Sequence, residues 1–102
     1  MIEKVYRMTD TQTVEKVIAE EPLQLMHMRL QPGEALPPHR ANAALTMVVL
    51  AGTLSLQLGD QPVHSYPERT VLQIPYLSEM DVRNQQQYLL ELLVIKTPPP
   101  VG

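Results

Sequence analysis

Ten prolines divide the chain, and seven of them (Pro22, Pro32, Pro37, Pro38, Pro62, Pro67 and Pro75) fall between short apolar runs. Proline lacks an N–H and its ring clashes with the preceding helical turn, so it is excluded from helix interiors and central strands. Such spacing favours short strands joined by turns over helices. The runs bear this out at residue level. Residues 53–58 (Thr-Leu-Ser-Leu-Gln-Leu) alternate polar and apolar, the period of a half-buried strand, and Gly59-Asp60-Gln61-Pro62 follows as a turn. Residues 45–50 are almost continuously apolar and end at Ala51-Gly52, so 45–50 and 53–58 are expected to pair as a hairpin. Further strands are expected over 22–30, 70–75 and 88–96. Breaks every 8–12 residues are the pattern of a β-sandwich or barrel.

Residues 14–19 carry two patterns. Val14, Val17 and Ile18 fit helical spacing with Thr11 or Thr13 as a cap, yet the same stretch reads as a strand folding back onto 22–30. In a chain otherwise of strand period, the strand is the expected outcome. Three parts are expected: an N-terminal arm over 1–20 packing on the barrel or on a partner chain, a barrel over 21–97, and an exposed Pro-rich tail over 98–102.

Composition narrows the chemistry. With 8 Lys+Arg against 11 Asp+Glu, the net charge of −3 provides no basic face for neutralising phosphates, which argues against a nucleic-acid partner. The absence of cysteine excludes disulfides, thiolate metal sites and a thiol nucleophile. Four Tyr are the whole aromatic content, so the core must be aliphatic and Met-rich. The charged first ten residues leave no apolar segment of a signal peptide, and no run is long enough to span a bilayer. The expectation is a soluble cytoplasmic protein with no membrane partner.

Residues 32–41, Pro-Gly-Glu-Ala-Leu-Pro-Pro-His-Arg-Ala, resemble the first motif of the cupin superfamily. That motif runs Gly, five residues, His-x-His, three or four residues, Glu, six residues, Gly. Gly33, His39 and Gly52 match, whereas the second His falls on Ala41 and the Glu on Leu45. The second motif (Gly, five residues, Pro-x-Gly, two residues, His, three residues, Asn) lands on Arg69, Pro75, Leu77, Met80 and Asn84, of which Pro75 and Asn84 match. The resemblance implies an all-β, antiparallel jelly-roll barrel, also called a double-stranded β-helix. It implies a homodimer as well, and the two apolar faces of 45–50 and 88–96 are consistent with a covered outer surface.

Three of the four positions that hold metal in metal-binding cupins are therefore Ala41, Leu45 and Met80. A transition metal needs three or four converging N, O or S ligands, so no metal and no cofactor are expected. A Cu(I) site built from His39 and the methionines is disfavoured, because Met26, Met28, Met47 and Met80 follow no copper-binding spacing and serve readily as core filler.

The expected ligand pocket comprises His39, Ala41, Leu45, Met47 and Met80, with His39 as its single polar group or as a barrel histidine satisfied by a backbone carbonyl. His27, between Met26 and Met28, is expected to face outward by the two-residue period. His64 is expected in a surface loop. The functional expectation is a metal-free cupin that binds or senses a small molecule in an apolar pocket. The alternative is a metal-independent isomerase, epimerase or lyase in which His39 acts as acid or base, paired with Tyr76. A third possibility is an interaction protein with a filled barrel.

Overall fold

The computed structural model describes residues 3–20 and 23–97. Nine strands form among them: β1 (Val14–Ala19), β2 (Gln24–Leu30), β3 (His39–Arg40), β4 (Ala44–Ala51), β5 (Thr53–Leu58), β6 (His64–Pro67), β7 (Val71–Ile74), β8 (Glu79–Arg83) and β9 (Leu90–Thr97). They make a five-stranded sheet in the order β1-β2-β9-β4-β7 and a four-stranded sheet in the order β3-β8-β5-β6, with antiparallel pairing throughout. The all-β expectation holds, and 14–19 is a strand, paired through Val14↔Met28 and its neighbours to β2. The Pro-rich tail lies outside the described residues.

The two inner faces meet in one aliphatic core. Met26, Met28 and Leu30 of β2, Leu45, Met47 and Val49 of β4, and Leu90, Leu92 and Val94 of β9 are buried against Leu54, Leu56, Met80 and Val82 of the second sheet. Every second residue faces inward because strand side chains alternate, and burying each such side chain contributes roughly 1.5–3 kcal/mol. No helix among the described residues is long and apolar enough to cross a membrane.

The expected hairpin of 45–50 with 53–58 does not form. β4 lies in the five-stranded sheet between β9 and β7, and β5 lies in the other sheet between β8 and β6. The cause is Gly52, the single residue between them. Its φ is +79°, and a Cβ there would sit 2.4 Å from the Leu89 carbonyl oxygen. One residue is too few for a hairpin turn, which needs at least two, but it suffices to carry the chain round a corner from sheet to sheet.

The motif residues that were matched in sequence hold the frame. Gly33 (φ +84°) closes a turn in which the Glu34 amide donates to the Gln31 carbonyl at 2.9 Å. Asn84 is buried, and its side-chain amide donates to the Leu30 and Tyr88 carbonyls at 2.9 and 2.7 Å while its oxygen accepts from the Gln86 amide at 3.0 Å. The unmatched glycine positions are equally informative. Arg69 and Leu77 are the two non-glycine residues with positive φ among those described, at +73° and +69°. The backbone there is the one a glycine would adopt.

Candidate functional site

β3 is only two residues long because Pro37 and Pro38 precede it and cannot donate to a ladder. It pairs with β8, setting His39 opposite Met80 and Arg40 opposite Glu79. On the other side of β8, Met80 faces Leu58 and Asp81 faces Gln57 of β5. Where these strands end, a hollow of about 360 Å³ opens, lined by Pro38, His39, Arg40, Gln57, Gly59, Glu79, Met80 and Asp81. Its volume lies within the range that holds small ligands.

His39 is exposed at the rim of this hollow. Its Nδ1 lies 2.9 Å from the Pro37 carbonyl oxygen. A carbonyl can only accept, so Nδ1 carries a proton and donates it to Pro37. Around it the charges are paired. Arg40 Nη2 donates to Glu79 Oε1 at 2.8 Å, and Arg83 donates twice to Asp81 at 2.9 and 3.1 Å. The Asp81 carboxylate holds the Arg83 guanidinium above its ordinary value, first through the hydrogen bond and then through charge. The Gln57 side-chain amide donates to the Gln61 carbonyl at 3.0 Å, which turns its oxygen outward as an acceptor.

The five residues expected to line one pocket are not brought together around an open cavity. His39 and Met80 share the hollow just described. Ala41 and Met47 are sealed in the core, and Leu45 borders a separate hollow of about 310 Å³ with Ala44, Thr46, Gln73, Ile74, Pro75 and Thr97. The physical reason is that aliphatic side chains at these positions pack against one another and fill the space. Tyr76 is exposed on the turn between β7 and β8 and does not line the His39 hollow.

The same filling decides the metal question on chemistry. The four ligand positions offer one imidazole, a methyl group, an isobutyl group and a buried thioether, and this donor set does not fit a divalent transition metal. Among the described residues no three His, Cys, Asp or Glu are placed to hold an ion.

The other two histidines differ from expectation. His64 is on strand β6, not in a loop, stacked on Tyr66 with ring centres 6.3 Å apart. His27 does point to the outer face of the five-stranded sheet, yet it is only 2% exposed. It lies between Glu15 of β1 and Glu91 of β9. Periodicity indicates the face a side chain takes but not what covers that face, so nothing in the run 24–30 announces this burial.

Comparison with known proteins accords with this architecture. No family model matches the chain. The uncharacterised protein MJ0764 of Methanocaldococcus jannaschii is 36% identical over 103 residues, covering 98% of this chain and 89% of that one. Its crystal structure, described as an RmlC-like cupin family protein with a double-stranded β-helix fold, superposes with a TM-score of 0.89 over 96% of this chain and 93% of that one, at 34% identity. A cupin superfamily protein of Desulfitobacterium hafniense shares the fold at 14% identity, with a TM-score of 0.75 over 90% of this chain and 83% of that one. With a relative matched along nearly its whole length, and with the motif glycine positions kept as backbone conformations even where the glycines are gone, the chain belongs to the RmlC-like cupin family.

Proposed function

We propose that this cupin is a metal-free module that binds or senses a small polar molecule at the hollow beside His39. The observation that carries the reading is the His39 ring, fixed by its Nδ1–H bond to the Pro37 carbonyl at a hollow that Met80 also lines. A pocket with a few fixed polar groups on an apolar base is how small-ligand sites are commonly built. The remaining acceptors, the Gln57 oxygen and the Glu79 and Asp81 carboxylates, suit a ligand rich in N–H or O–H donors. This departs from the purely apolar barrel pocket expected from sequence, because the barrel interior is occupied by its own side chains.

The test is amide-shift perturbation of the labelled protein against a set of small amines and polyols. Shifts clustered at His39, Gln57, Glu79 and Met80 that vanish in His39→Ala are the expected result. Binding that His39→Ala leaves intact overturns the reading.

The same reading includes a homodimer formed through the outer face of the five-stranded sheet. Val71, Val48 and Leu93 form one cross-strand row on that face, and Val71 is 61% exposed. Apolar rows of this kind on a sheet are suited to burial against a second copy. The reading is also of a cytoplasmic protein, which fractionation of cells expressing the tagged chain would check.

A further inference from the structure

The cross-strand row on the outer face continues beyond Leu93 to His27 of β2 and Glu15 of β1, where the N-terminal arm is bonded to the Glu15 side chain. The Thr9 amide donates to Glu15 Oε1 at 2.8 Å, Arg29 of β2 donates through its guanidinium to the Asp10 carbonyl, and the Arg29 amide donates to the Thr13 carbonyl at 2.8 Å. Residues 9–13 are thus tied to Glu15 and Arg29 at the sheet edge, and Glu15 in turn meets the buried His27. Its Nδ1 lies 3.3 Å from Glu15 Oε1 and its Nε2 lies 2.9 Å from Glu91 Oε2.

We infer that residues 9–13 are a proton-dependent latch: the strap is docked while both ring nitrogens of His27 carry protons and is released when Nδ1 loses its proton. An imidazole donates to two carboxylates at once only as the imidazolium. In the neutral ring one proton remains, and the shorter contact keeps it on Nε2, facing Glu91. The Nδ1 lone pair then faces Glu15 Oε1, two acceptors with no hydrogen between them in a buried place, which is costly.

Glu15 relieves this by swinging away, and it takes with it the acceptor of the Thr9 amide. The charged groups around the ring are Glu15 from β1, Glu91 from β9, Arg29 from β2 and Asp10 from the arm. The described polar contact of the Arg29 side chain is to the Asp10 carbonyl, so it forms no ion pair with either carboxylate. Release frees residues 9–13 from Glu15, at the end of the row that carries Val48 and Val71.

The test is amide exchange of Thr9 and Arg29, corrected for intrinsic rates, between about pH 6 and about pH 9, alongside the ¹⁵N shifts of the His27 ring. Protection of Thr9 is expected to fall roughly tenfold as Nδ1 loses its proton, with Val94 in the core unchanged. In His27→Gln no titrating ring faces Glu15 Oε1, the one atom that meets both Thr9 and Nδ1, so protection should stay flat across the range. Thr9 protection that does not follow the ring titration in the unaltered protein overturns the latch, as does an undiminished pH response in His27→Gln. The ring shifts are read on the unaltered chain and need no variant to fold.

Discussion

Arg69 and Leu77 bear side chains on backbone that disfavours them. Left-handed φ costs an L-residue about 1–2 kcal/mol, because Cβ crowds the following carbonyl. Glycine avoids that cost but loses more chain entropy on folding, roughly 0.5–1 kcal/mol. The difference predicts that Arg69→Gly and Leu77→Gly each stabilise the fold by up to about 1 kcal/mol. A rise in the urea midpoint at unchanged slope is the expected readout. These two positions also mark a limit of sequence reading. A motif search scores residue type, so it counts Arg69 and Leu77 as losses, although the turns on either side of β7 retain the motif's geometry. His39 was legible as the one retained ligand position, and its bond to a backbone carbonyl was among the expected outcomes. The burial of His27 was not legible, because its ring is flanked by Glu15 of β1 and Glu91 of β9, both on other strands.

At the scale of elements, the period-two runs located β1, β2, β4, β5, β7 and β9 to within two residues. β3, β6 and β8 escaped notice. β3 has two exposed residues, β6 is a short edge strand in which only Tyr66 packs on the core, and β8 interleaves only Met80 and Val82 with charged residues. Pairing was harder to read than existence, since sequential strands usually neighbour one another and β4 and β5 do not.

β9 has a further peculiarity at its end. Lys96 pairs with Gln24 and Leu45 in the register that turns Val94 and Leu92 inward. Burial, and secondarily the charge of Lys16, hold its ammonium below the ordinary lysine value. The unfolded chain therefore binds more protons than the folded one between the lowered and the ordinary value, and this group's contribution to stability rises with pH through that window. Lys96→Met is expected to raise stability at pH 7 by a few tenths of a kcal/mol, because partial exposure screens much of the penalty. Urea titrations at neutral pH and near about pH 10 should show the gap between variant and parent narrowing as the lysine discharges.

For the molecule as a whole, the proposed dimer leads to a definite expectation. Light scattering at tens of micromolar should return twice the 11.5 kDa chain mass. Val71→Lys, which puts a charge on the exposed end of the Val71–Val48–Leu93 row, should return the monomer without loss of strand content. The placement of β9 has a consequence for biosynthesis. It lies between β2 and β4, so neither half of the five-stranded sheet has its central partner until residue 97 has left the ribosome. Residues 14–74 emerge first with the edges of β2 and β4 open, and they must stay apart from other nascent chains for as long as the remaining residues take to be made. Since residues enter the growing chain at roughly 5–20 per second, that exposure lasts seconds, and a chaperone acting on this protein would act in that interval.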